Sequence, residues 1–180
     1  MKRALPLIAT SLFALASPAF ADEARCFANA QFLVIAQERT ESAGTDILAR
    51  TTGAIMPCTY SVADGDVVIG DAEDPLWFNA LAGQYLILER STGPEGNLVI
   101  YDLTRPEKPV LDLPAESHPI VLPQDVIFWA FDGEASVENC SGFAENTANG
   151  LGTMVTAETV FSLIDASHER TGRTRCIATQ

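Results

Sequence analysis

The stretch from Tyr85 to Asp102 constrains the fold more than any other. Two runs, Tyr85-Leu86-Ile87-Leu88-Glu89 and Leu98-Val99-Ile100-Tyr101, flank a Gly/Pro-rich turn at Ser91 to Gly96. Short β-prone runs bounded by turn residues predict a hairpin. Both arms are apolar at consecutive rather than alternate positions, the pattern of strands covered on both faces. Such a hairpin needs a layer on each side, and the rest of the chain has to supply both.

Similar runs recur. Phe32-Leu33-Val34-Ile35-Ala36 and Asp46-Ile47-Leu48-Ala49-Arg50 flank a polar turn at Thr40 to Thr45 and predict a second hairpin. A helix over 30–39 competes there, because Asn29 can cap it and Ala, Gln and Glu favour helices. Thr59-Tyr60-Ser61-Val62 and Val67-Val68-Ile69 enclose Asp64-Gly65, a strong hairpin cue because a type I′ turn needs positive φ. Asp74-Pro75 has the form of a helix cap followed by proline at the first helical position, predicting one short helix over Leu76–Leu81 ended by Gly83.

Further strands are expected at Val110–Leu113, placed at a sheet edge by Pro109, and at Asp125–Phe131, ending at Asp132-Gly133. Pro114 to Pro123 reads as a loop around Ile120-Val121-Leu122. The C-terminal end predicts a hairpin from Val155–Ile164 and a strand carrying Cys176. A helix over 157–166 is the alternative, since Val160, Leu163 and Ile164 share one helical face. No repeat of about 40–45 residues occurs, which argues against a propeller. The expected fold is all-β with one short helix: a single antiparallel β-sandwich or partly closed barrel, stapled by disulfides, over residues 22–180.

Residues 1–21 read as a secretory signal peptide: Lys2 and Arg3, an apolar run from Ala4 to Ala16, then Ser17-Pro18-Ala19-Phe20-Ala21 with an A-x-A cleavage site. The apolar run falls short of the ~20 residues of a bilayer span, so no membrane span is expected after cleavage. The expected location is periplasmic or secreted. An oxidising compartment favours disulfides among the four cysteines, Cys26, Cys58, Cys140 and Cys176. None forms a C-x-x-C pair, which disfavours zinc, haem and thioredoxin-like chemistry. Three connectivities are open. Cys26–Cys58 and Cys140–Cys176 are preferred because each closes a loop within one half of the chain, a contribution of about 3–4 kcal/mol apiece on a chain-entropy argument.

The formal net charge is −13, with 24 Asp+Glu against 11 Lys+Arg. Loss of Lys2 and Arg3 with the signal makes it −15. Nucleic acid is disfavoured as a partner, because its phosphates are met by clustered Lys and Arg. A basic protein or another cationic ligand suits this charge. A monomer without cofactors is expected.

Chemistry-bearing motifs are sparse. The two histidines, His118 and His168, lie in Ser117-His118-Pro119 and Ser167-His168-Glu169, neither within a recognisable catalytic motif. No residue is assigned a catalytic role and no binding residue is singled out. The densest oxygen cluster, Asp64, Asp66, Asp71, Glu73 and Asp74, is a weak metal candidate that lacks EF-hand order, with Pro75 where the twelfth-position glutamate would stand. Trp77, Phe78, Trp129 and Phe131 are read as core ahead of a ligand cleft.

The C-terminal third resembles a group of small secreted bacterial proteins of unknown activity. Val126-Ile127-Phe128-Trp129, Asn139-Cys140, Gly150-Leu151-Gly152 and the ending Thr171-Gly172-Arg173-Thr174-Arg175-Cys176-Ile177-Ala178-Thr179-Gln180 carry the resemblance, and the hairpin Tyr85–Leu103 is similar to theirs. It implies an exported β domain, supports a strand over Val155–Ile164, and brings no catalytic residues. Charge and export then favour a non-enzymatic binding domain for a basic partner such as a cell-wall hydrolase. The alternatives are a carboxylate-based hydrolase and a structural envelope component.

Overall fold

The computed structural model describes residues 24–53, 57–93 and 95–179; the expected signal segment, 1–21, lies outside the described residues. The elements are β1 (Arg25–Ala28), β2 (Phe32–Glu38), β3 (Thr45–Thr51), β4 (Val67–Ile69), β5 (Leu76–Ala82), β6 (Tyr85–Ser91), β7 (Gly96–Asp102), β8 (Leu111–Ala115), β9 (Ile120–Val121), β10 (Asp125–Glu134), α1 (Phe143–Ala148), β11 (Gly152–Ser162) and β12 (His168–Thr179). They form a four-stranded sheet, β1-β2-β3-β4, and an eight-stranded sheet, β12-β11-β10-β8-β7-β6-β5, with β9 paired to β10.

The β6–β7 hairpin is the middle layer, in continuous register from Tyr85↔Asp102 to Ser91↔Gly96. One face, Leu86, Leu88, Val99 and Tyr101, packs on Phe32, Val34, Ile47, Ala49 and Ile69 of the small sheet. The other face, Tyr85, Ile87, Leu98 and Ile100, packs on Val126, Phe128, Ala130 and Phe161. The large sheet therefore folds back over itself. It bends between β8 and β10, which share the single register pair Ala130↔Ala115, and brings the rings of Tyr85 and Phe161 edge to face at 5.7 Å. Each fully buried Leu, Ile or Phe in these layers contributes about 1.5–3 kcal/mol. The outer strands β12 and β5 stay unpaired with each other, and the arrangement is a sandwich.

Within 30–39 the chain forms strand over Phe32–Glu38, not helix. Asn29 does act as a cap, accepting from the backbone N–H groups of Gln31 and Phe32 at 2.8 and 2.9 Å, but it closes the turn between β1 and β2. The segment 157–166 is likewise strand through Ser162.

The helix expected over Leu76–Leu81 is instead strand β5. A two-residue turn, Gly83-Gln84, with Gly83 at φ 58°, returns the chain onto β6, whose edge supplies hydrogen-bonding partners from Leu76↔Arg90 to Ala82↔Tyr85. Aromatic and branched residues on a half-covered surface take the strand once a partner is present. The short helix lies elsewhere, at α1. Thr59–Val62 forms no strand either. The Asp64-Gly65 turn closes, with the Asp66 N–H donating to Ala63 O at 3.1 Å, yet β4 pairs with Ile47–Ala49 of β3. Finally, β8 is not purely an edge: it pairs with β7 along its length and touches β10 at Ala115.

Gly44 lets the two sheets approach. A Cβ there would sit 2.9 Å from the Pro75 Cα, and its φ of 110° disfavours other residues. The bridges are Cys26–Cys58 and Cys140–Cys176, with Cα separations of 5.8 and 5.6 Å. No helix among the described residues is long and apolar enough to cross a membrane.

Candidate functional site

The acidic residues singled out in the sequence do not gather around a common point, and two of them, Asp66 and Asp74, are paired with guanidinium groups. Asp66 accepts from Arg50 at 2.7 Å, and both side chains are almost wholly buried. Asp71 turns back on its own loop, accepting the backbone N–H groups of Glu73 and Asp74 at 2.9 Å each. That loop closes around Arg39. The guanidinium donates to the carbonyl oxygens of Asp71, Ala72 and Asp74 at 2.7, 3.0 and 3.0 Å, and to the Asp46 carboxylate at 2.7 Å. Carbonyl and carboxylate oxygens are also what a hard cation would seek, and here Arg39 fills the loop.

Asp74 holds Arg90 through two hydrogen bonds, at 2.6 and 3.2 Å, and Asp112 takes the other side of the same guanidinium. Hydrogen bonding to Asp74 is the main cause that raises the Arg90 pKa above its ordinary value; burial opposes it and Asp112 reinforces it. Asp64 and Glu73 remain exposed on their turns. Among the described residues, no three His, Cys, Asp or Glu side chains are grouped to hold a metal ion.

The four aromatic candidates divide between β5, at one edge of the large sheet, and β10, which lies inside it between β11 and β8. In β5, Trp77 donates its indole N–H to Ser91 O at 2.8 Å, and Phe78 stacks on Phe27 with centroids 3.7 Å apart. In β10, Trp129 lies on the outer face, opposite the core residues Phe128 and Ala130. Arg175 and Arg173 stand over its ring at 4.1 and 5.8 Å. Arg175 also grips Glu116 in a two-point ion pair, while Thr156 donates to Glu116 at 2.8 Å. Arg173 pairs with Glu158 at 2.8 Å, and Thr171 donates to the same carboxylate at 3.0 Å. Glu116 and Glu158 thus flank an aromatic ring, the layout a carboxylate-based enzyme would want. Each is already committed to an arginine and a threonine.

Beside this ladder is a shallow cleft of about 330 Å³, lined by Glu95, Glu116, Ser117, His118, Phe131 and the end of β12. His118 has φ 68°, uncommon for a non-glycine residue and more so before proline. Its backbone N–H donates to Glu89 at 3.0 Å, and Asn79 donates to the same carboxylate at 2.9 Å. His168 is exposed at the start of β12, paired with Phe161.

Reading acids and aromatics in the sequence missed the arginines. Arg25, Arg39, Arg50, Arg90, Arg105, Arg170, Arg173 and Arg175, every arginine among the described residues, each meet an internal carboxylate. Their scarcity against the acids was the available signal. The partners were not, being as distant as Arg175 from Glu116. No family model matches the chain, and no curated protein or solved structure is significantly similar to it.

Proposed function

We propose that the chain is a non-catalytic, exported binding domain whose partner is cationic, a basic protein such as a cell-wall hydrolase being the class its charge suits. The observation carrying this reading is that every described arginine is paired with a carboxylate of the same molecule. With every described guanidinium paired in this way, exposed acids such as Glu41, Glu73, Glu95, Glu138 and Glu145 face solvent outside any ion pair among the described residues. The unpaired acids are the surplus of 24 Asp+Glu over 11 Lys+Arg, and this net negative charge attracts cations over long range. Export and the binding role rest on the N-terminal signal pattern and this charge, and the two disulfides are compatible with an oxidising compartment.

The enzyme reading has less behind it. General acid–base catalysis needs a carboxyl group free to exchange a proton with substrate, whereas the two carboxylates nearest Trp129 are held by Arg175 and Arg173.

The test is co-purification on an immobilised cationic lysozyme at low and high salt, beside an immobilised acidic protein of similar size. Retention on the cationic protein alone, abolished by salt, supports the reading. No retention at low salt, or retention that salt leaves unchanged, would sink it.

A further inference from the structure

We propose that the Cys26–Cys58 bridge is a redox-operated strap: a dithiol reductant opens it, frees the chain over 57–60 and uncovers the outer face of β2 and β3, while Cys140–Cys176 stays closed. This inference is independent of the cationic-partner reading.

The outer face of the small sheet carries an apolar row. Cys26↔Ile35, Ile35↔Leu48 and Leu48↔Val68 are directly opposed in register and share that face, with Leu33 beside them. Among the described residues no further sheet covers it, yet Ile35 and Leu48 are 0% exposed. Their cover is Ala24, Cys26 and the ring of Tyr60. Burial first, and the Asp46 carboxylate second, raise the Tyr60 pKa above its ordinary value, Arg39 opposing, as expected of a phenol lying along this face.

Tyr60 belongs to a stretch that forms no strand or helix between 57 and 66. It is fastened at two places. At one end Cys58 is bonded to Cys26. At the other, Arg50 donates to Ser61 O at 3.0 Å and to Asp66 at 2.7 Å. With no ladder along its length, the covalent link is what holds the Tyr60 end down. Val68, at the margin of the row, is already 50% exposed.

The other bridge is placed differently. Cys140 is 5% exposed, and Cys176 sits within β12, in register with Val155 of β11. Access to a sulfur controls thiol–disulfide exchange, and exposed bridges are the labile ones. Cys58 is exposed. One thiolate of the reductant attacks the Cys58 Sγ and breaks the S–S bond, and Cys26 leaves as a thiolate that takes up a proton. The second thiol of the reductant, as thiolate, then displaces Cys58 from the mixed disulfide. The reductant departs as its own disulfide, having given two electrons to the bridge, and Cys58 is protonated to a thiol.

The experiment treats the folded, oxidised chain with stepwise dithiothreitol, quenches with N-ethylmaleimide, and maps labelled peptides alongside amide hydrogen exchange. The expected result is labelling of Cys26 and Cys58 at least about tenfold faster than Cys140 and Cys176. Exchange should rise over 57–60 and in β2 and β3, with β6 and β7 unchanged. Joint labelling of all four cysteines with global exchange overturns the proposal. So does reduction of Cys26–Cys58 that leaves exchange over 57–60 unaltered. The Cys26→Ser/Cys58→Ser chain, if it folds, should show the open pattern without reductant, and a protected strap in it would also overturn the proposal. If that chain does not fold, the reduction experiment on the unmodified chain decides.

Discussion

The sandwich has two outer faces, closed by opposite means. On the small sheet the outer row is aliphatic, Leu33, Ile35 and Leu48, and a tethered stretch of irregular chain lies over it. On the β10–β12 face the outer row is Trp129, Glu158, Arg173 and Arg175, and the side chains cover one another through ion pairs and cation–π contacts. An aliphatic row must be removed from water by something else, whereas a mixed charged and aromatic row can satisfy itself while remaining wet. The difference locates the sensitive points: a covalent link on one side, long-range ion pairs on the other, and between them a middle layer on which both sides depend.

The largest expected effect breaks both sides at once. Ile87→Ala or Leu88→Ala, each emptying a site with 0% exposure in the middle layer, should lower unfolding free energy by about 2–5 kcal/mol, measured by denaturant titration. Next comes the tethered face. Replacing Cys26 and Cys58 together should cost about 2–4 kcal/mol. Such a loss should be insensitive to salt. The ladder face should respond less and in the opposite manner. Arg175→Ala should cost about 1 kcal/mol, since the pair is partly exposed and screened, and the difference from the unmodified chain should shrink in high salt. Removing the fully surface pair by Arg25→Ala should cost less than about 0.5 kcal/mol.

Asp102 sharpens the comparison from the middle layer. Burial favours its neutral form, but this is outweighed by hydrogen bonds from the Thr104 hydroxyl and backbone N–H and by Arg105, which together hold its pKa below the ordinary 3.8. A depressed folded-state pKa gives stability that is present above the unfolded value and lost as pH falls through the folded one. Stability measured from pH 5 down to pH 2 should therefore fall less steeply in Asp102→Asn than in the unmodified chain. Equal slopes would remove Asp102 from the acid response.

The middle hairpin was legible because consecutive apolar residues between turn signals admit few other readings. The strand at Leu76–Ala82 was not, because Asp74-Pro75 is a sound local helix signal and the edge of β6 that overrides it is tertiary. Asn29 shows the same limit from the other direction: the cap is real, but it serves a turn. For the acids, local pattern revealed the turns and hid their occupants. Asp71 and its neighbours are wrapped around Arg39, a residue more than thirty positions earlier in the chain, and Glu116 waits for Arg175 on the last strand. Charge partners of that range leave no periodicity to read.

The most direct test of the account, in which the arginines are paired within the chain and the surplus acids stay free, is the affinity for a purified cationic lysozyme measured by calorimetry across a salt series. The association constant should fall steeply as salt rises, and it should drop further at low salt when Glu41, Glu73, Glu138 and Glu145 are changed to Gln. An affinity independent of both salt and these substitutions, or no binding in the lowest salt, would contradict it.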